Sequence, residues 1–393
     1  MAKNKKVRKF SKFANNQLDF ILLITVILLL SLGLIMVLSA SSPTSLAETG
    51  DDSYSYFRKQ AGFAIVGVIA MLFISKIDYR FWKKFYKIAY IGSIILLLMV
   101  LIPGIGVSAG GARRWINLGV QFQPSELAKI GLIIFYASYL TDHKDELRDF
   151  KKGFIKPLLY LIPVVLILIL IQDHLSATII IVLVVGIMML MAGVRPMYFA
   201  TVGSAVAVAG AAGLYAMAKF TSKGAFRIAR ITSFLNPWAD KQGDGWQVIQ
   251  SLYAIGSGGL FGVGLGQSKQ KYLYIPEPQN DFIFAIVAEE LGFVGCVAII
   301  LLFAVFAPMT FPKAAWRGVL AAMKAPDMFG SLVAVGITSL IGLQAIINIA
   351  VVTSSMPVTG MPLPFFSYGV TSLLILLCSV GILLNISRAG SKI

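Results

Sequence analysis

Apolar residues run nearly unbroken near residues 18–38, 61–77, 85–103, 123–141, 156–172, 176–193, 198–218, 282–308, 329–352 and 365–387, with polar residues gathered between. Each run is close to the roughly 20 residues that cross a bilayer as a helix. The pattern predicts an all-α polytopic membrane protein of about ten transmembrane helices, with a large extracytoplasmic loop, 219–281, between the seventh and eighth. The first run is too long for a removable signal peptide and no small-residue cleavage site follows it, so it reads as a signal anchor. The expected organisation is a basic arm (1–17), one membrane domain (18–387) and a short tail (388–393).

Composition agrees with this pattern. With 58% hydrophobic and 13% charged residues and a mean hydropathy of +0.82, a soluble globular domain is excluded. The net charge of +16 is distributed by topology. The arm carries Lys3, Lys5, Lys6, Arg8, Lys9 and Lys12 without an acid, whereas the first loop carries Glu48, Asp51 and Asp52. Basic residues favour the cytoplasm, so the arm is expected inside. An even number of spans returns the C-terminus there too. Anionic lipid, not nucleic acid, is the partner this charge implies.

Two basic segments fall outside: Arg113 and Arg114 in the 105–122 loop, and Lys219, Lys223, Arg227, Arg230, Lys241, Lys269 and Lys271 in the long loop. They either meet something anionic or are solvated loop charges. Cys296 and Cys378 lie in apolar helices, so no disulfide, zinc or thiol site follows. The histidines are His143 and His174, and no nucleophile-elbow pattern accompanies them. Acid–base work falls to carboxylates.

Asp281, in YIPEPQNDFIFAIVAEELGFVG, stands where hydrocarbon begins. It is either a helix N-cap or a functional carboxylate, and Glu277, Glu289 and Glu290 nearby exceed what capping needs. Glu126 and Lys129 are i,i+3 neighbours just inside the fourth span, either a neutralising pair or a pair that orients a carboxylate such as Asp281. The glycines after the helix of Gly245 to Gln267 suit a mobile lid or lateral gate, or a helix lying on the bilayer. Pro357, Pro362 and Pro364 predict a rigid re-entrant turn lining a cavity. Gln344 and Asn348 either face that cavity or join helices.

GARRWINLGVQFQPSELAK, QSLYAIGSGGLFGVGLGQSKQK, YIPEPQNDFIFAIVAEELGF and PVTGMPLPFFSYG, in this order over nearly the whole chain, resemble the SEDS family (shape, elongation, division and sporulation). The PEPQND wording resembles its FtsW and SpoVE branches more than RodA. The resemblance implies a peptidoglycan glycosyltransferase that polymerises lipid II beside a class B penicillin-binding protein and other divisome or sporulation membrane proteins. Asp281 matches the family's essential aspartate. Arg113 and Arg114 lie in its outer basic motif, and Glu126 and Lys129 match its paired helix residues. Two positions depart: the usual Pro-Asp-Leu-Gly is here Asp173-His174-Leu175-Ser176, and the second Gly after Ser-Tyr-Gly is Val370. The first leaves that turn without a catalytic assignment.

The chemistry would be a single, inverting displacement of polyprenyl pyrophosphate by a sugar hydroxyl. Asp281 would act as base or hold a transient Mg²⁺ or Mn²⁺. Arg113 and Arg114 would neutralise the pyrophosphate. Lys269, Lys271 and Glu277 complete the candidate substrate-facing set. A lipid II flippase or a scaffold for a transpeptidase are the rival classes.

Overall fold

A computed structural model describes residues 19–109, 112–117, 119, 121–204, 210, 213, 234–239, 241, 243, 245–306 and 327–390. Its longer helices are α1 (Phe20–Thr49), α2 (Ser55–Ile74), α3 (Tyr86–Leu98), α4 (Pro124–Asp142), α5 (Lys156–Leu166), α6 (Leu175–Ala192), α7 (Trp246–Gly258), α8 (Ile283–Phe306), α9 (Met328–Val352) and α10 (Val370–Gly390). π-Helical turns extend α5 to Phe150–Ile171.

Seven described helices are long and apolar enough to cross a membrane. Tyr86–Leu101 is shorter, and α4 carries Glu126, Lys129 and Asp142. The 198–218 run is helical to residue 204, and most of its remainder lies outside the described residues. So do the N-terminal arm, Lys219, Lys223, Arg227 and Arg230, and the 307–326 segment.

Burial assigns each helix its place. α2 buries only Gln60, Ala64, Gly67 and Met71, one stripe at i, i+4, i+7 and i+11, and that stripe packs along α10. Its exposed Ile65, Ile69 and Phe73 suit lipid. α9 is buried on nearly every face and packs against α4, α6, α8 and α10. An aromatic cluster of Tyr86, Tyr90, Phe135, Tyr139 and Tyr160 joins α3, α4 and α5.

α8 is broken at Gly292, whose φ of 66° and ψ of −168° leave the helical region. A Cβ there would stand 2.3 Å from the Gly262 nitrogen, so only glycine fits. The interrupted ladder is completed by the glycine-rich segment after α7. Val263 and Gly264 N–H donate to the Glu289 and Glu290 carbonyls at 2.9 and 3.1 Å. Phe293 and Val294 N–H donate to the Gly259 and Leu260 carbonyls at 2.9 and 3.1 Å. The expected mobile loop is thus spliced into α8, and α7 packs along that helix.

Between α3 and α4, where the sequence reading placed the 105–122 loop, the chain forms a three-stranded antiparallel sheet, β1 (Gly106–Ala109), β2 (Ala112–Asn117) and β3 (Gln121–Phe122). At the far end of α9, Asp327 caps the helix through Gly330 N–H at 2.8 Å. The same carboxylate accepts from Tyr79 Oη and Arg80 Nε, each at 3.0 Å. Asn385 of α10 accepts from Tyr79 N–H at 2.9 Å and donates to the Ser75 carbonyl at 2.8 Å. This network ties the ends of α2, α9 and α10 together.

Candidate functional site

Residues 355–369 carry no regular helix, as the three prolines require. The non-helical backbone finds its partners in neighbouring elements. Gln60 on α2 donates to the Ser367 carbonyl at 3.3 Å and accepts from Gly369 N–H at 3.1 Å. Ser367 Oγ accepts from Leu363 N–H at 2.7 Å and donates to the Asn280 carbonyl at 2.5 Å. Tyr368 N–H donates to the Gln279 carbonyl at 2.8 Å. Phe365 and Phe366, fully packed, meet Phe303 of α8. The turn is therefore packed against α2 and the segment that leads into α8.

Asp281 sits two residues before α8, half-buried, against this turn. Asn348 Nδ2 on α9 donates to the Asp281 carbonyl at 2.8 Å and to the Met361 carbonyl at 2.6 Å. Gly360, at φ +67°, lies so close that a Cβ would stand 3.2 Å from Asp281 Oδ2. The start of α8, α9 and the turn thus meet at this residue. Gln344 lines a neighbouring cavity of about 30 Å³ with Glu126, Pro362, Leu363, Ser367 and Ser372.

Glu126 and Lys129 pair at 2.8 Å, with side chains 14% and 4% exposed. Beyond Lys129 lies a small apolar pocket between α4, α6 and α9. Arg113 is exposed on β2. Arg114, beside it, donates through Nε and Nη2 to the Gln172 and Asp173 carbonyls at 3.3 and 2.6 Å. His174 Nε2 stands 2.7 Å from Gln123 Nε2, the residue that precedes α4. Burial, then the charges of Arg114 and Lys129, push the His174 imidazole down to about 3, so it is neutral at physiological pH.

The remaining candidates lie differently. Lys269 is exposed, and its N–H donates to Glu289 Oε1 at 3.0 Å. Glu277 is exposed and accepts from Asn280 Nδ2 at 2.7 Å. Lys271 is buried: Nζ donates to Ser39 Oγ, the Gly266 carbonyl and Glu290 Oε1 at 3.0, 2.6 and 3.1 Å. The spacing of Lys271 gave no hint of this pairing, and its charge is neutralised inside the bundle. Glu289, which sequence reasoning left without a role, accepts from Ser268 Oγ at 2.5 Å and Gln270 N–H at 3.3 Å. Sequence reasoning also missed Gln60 and Gln123, whose one signal was an amide at the edge of an apolar run.

Among the described residues, no three His, Cys, Asp or Glu side chains converge to hold a metal. Several buried oxygens belong to residues next to Asp281 in the chain, to its partner Asn348 or to the neighbour of Gly360. Gln279 Oε1, Asn280 Oδ1, Asn348 Oδ1 and Thr359 Oγ1 are buried acceptors without a hydrogen-bond partner. With Asp281 they offer carboxylate, amide and hydroxyl oxygen, the donor chemistry of Mg²⁺ or Mn²⁺.

Residues 19–392 match the family model FtsW/RodA/SpoVE, described as cell cycle protein. Stage V sporulation protein E of Bacillus subtilis (strain 168) is 46% identical over 371 residues, covering 94% of this chain and 97% of that one. The probable peptidoglycan glycosyltransferase FtsW of Geobacter sp. (strain M18) is 41% identical over 370 residues, covering 94% and 96%. A chain from the structure described as "Structural coordination of polymerization and crosslinking by a peptidoglycan synthase complex" aligns with TM-score 0.76 and 26% identity, over 95% of this chain and 98% of that one. Thermus thermophilus Rod shape determining protein RodA aligns with TM-score 0.65 and 26% identity, over 95% and 97%. This multi-pass, mostly helical membrane protein belongs to the FtsW/RodA/SpoVE family of cell cycle proteins.

Proposed function

We propose that the Asp281 end of the bundle is a peptidoglycan glycosyltransferase site that polymerises lipid II into glycan strands, in cell division or sporulation. The observation that carries this is the meeting of Asp281 with Asn348 and Gly360 at the proline-rich turn, with Arg114 and the Glu126–Lys129 pair on neighbouring elements. The names of the relatives, FtsW and stage V sporulation protein E, support the activity and the branch. The distribution of Lys and Arg supports an Asp281 end facing outward and both termini in the cytoplasm.

In the reaction, the acceptor 4-hydroxyl oxygen bonds to the anomeric carbon while the bond to undecaprenyl pyrophosphate breaks, with inversion. The hydroxyl proton passes to the Asp281 carboxylate. Arg114, and Arg113 from the exposed edge of β2, neutralise charge growing on the pyrophosphate. Where Asp281 instead holds a divalent cation with the amide oxygens of neighbouring residues, the cation would supply Lewis-acid stabilisation of the leaving pyrophosphate. The half-buried position of Asp281 limits competing water.

A flippase must open both ends of the bundle. The network of Tyr79, Asp327 and Asn385 ties helix ends together at the opposite end, which supports a polymerase. A cognate class B penicillin-binding protein is the expected partner, supported by the synthase complex that the chain resembles. The test is a polymerisation assay with purified protein and lipid II, with and without divalent cation and that partner. Polymer from the wild type and none from Asp281→Asn is expected. Strong activity in Asp281→Asn, or no polymer under any condition, would overturn the reading.

A further inference from the structure

The turn Gln172 to Ser176 takes no part in the displacement itself, yet it touches three elements that do. Arg114 grips its Gln172 and Asp173 carbonyls. The backbone at Asp173 is left-handed, with φ 49°, uncommon for a residue other than glycine. Ser176 Oγ donates to the carbonyl of Thr359, the neighbour of Gly360 that lies against Asp281. The His174 side chain meets Gln123, the residue at the N-terminus of α4.

We propose that His174 is a positioning residue: through Gln123 and the backbone of its own turn it holds Arg114 in register with the Glu126–Lys129 end of α4, presenting the guanidinium to a polyprenyl pyrophosphate. This rests on the polymerase reading for its substrate. Gln123 makes no side-chain cap to α4 and spends its amide on the imidazole instead. His174 N–H donates to the Leu168 carbonyl at 2.8 Å, and Gln172 Nε2 donates to the Leu97 carbonyl at 2.8 Å, so the turn is anchored to α5 and α3. A neutral ring is what the place demands, because a third cation beside Arg114 and Lys129 would repel both. Its buried Nδ1 has no partner, a cost that packing alone does not explain.

The test compares variants in nanodiscs, reading Kd for undecaprenyl pyrophosphate alongside KM and kcat for lipid II. His174→Ala should raise KM and Kd about tenfold, the equivalent of one lost charge-linked contact, with kcat within about threefold. His174→Gln, whose amide reaches the Nε2 position, should stay within about twofold of wild type in all three. On an Arg114→Ala background, His174→Ala should add nothing, because its effect runs through that arginine. Unchanged KM and Kd in His174→Ala, or a full additional rise on the Arg114→Ala background, overturns the proposal. Should His174→Ala fail to fold, Gln123→Ala must reproduce the rise, and an unaltered Kd there overturns it equally. Kd needs no turnover, so a protein that binds the pyrophosphate without polymerising, even with divalent cation and the partner present, refutes the polymerase reading while the comparison still decides the role of His174.

Discussion

Lys271 Nζ and Glu290 Oε1 stand 3.1 Å apart, with side chains 5% and 0% exposed. Removing either partner leaves a buried charge uncompensated, which costs about 3–5 kcal/mol, whereas replacing both with apolar residues restores much of it. Lys271→Met and Glu290→Leu should each lower the unfolding temperature in detergent, and the double variant should recover most of the loss. Single variants as stable as wild type would return Lys271 to the substrate-facing set.

Gly360→Ala tests the wall behind Asp281. The backbone at φ +67° disfavours any side chain by about 1–2 kcal/mol, and the new methyl presses on the carboxylate. Turnover should fall by more than the stability loss accounts for, because small displacements of a reacting group are felt strongly. Parallel polymerisation and melting measurements check this, and wild-type turnover is the adverse result.

Glu126 and Lys129 should behave as a unit. Each single Ala variant should lose more polymerisation activity than the double, since one removal strands the other charge in a poorly solvated bundle. A four-member cycle measures the coupling, and simple additivity would contradict it.

His174 gives stability a pH dependence. Its folded value near 3 lies below the ordinary value of 6.5, so below pH 6.5 the unfolded chain takes up a proton that the folded one refuses. This contribution is fully present above pH 6.5 and is lost as pH falls from there toward 3, by about 1.4 kcal/mol per pH unit. The drop in melting temperature from pH 7.5 to 5 should be smaller in His174→Gln than in wild type. Equal drops would show that the ring does not titrate this way.

Much of the fold was legible because the bilayer constrains sequence so strongly. Long apolar runs read as spans, seven of which are described as helices long and apolar enough to cross a membrane, and three clustered prolines could only interrupt a helix. Asp281 was visible as a carboxylate at the hydrocarbon boundary. Long-range partners were not, because nothing local encodes them: Gln60 meets Gly369 from 309 positions away and Asn348 meets Asp281 from 67. The β1–β3 sheet was missed because its strands are short and glycine and arginine interrupt their alternation. Lys271 read as an outer-loop cation because sequence shows charge but not the direction in which the loop folds back.

The splice at Gly292 bears on how a long lipid chain reaches Asp281. Swinging the 259–264 segment outward would strip partners from four main-chain N–H donors and their four carbonyls at membrane depth, each at a cost of several kcal/mol. The amides of Val263, Gly264, Phe293 and Val294 should accordingly be among the slowest to exchange with deuterium, and rapid exchange there would contradict it. With that segment locked into α8, the hydrocarbon tail must enter along another seam of the bundle, and the glycines serve as a weld rather than a hinge.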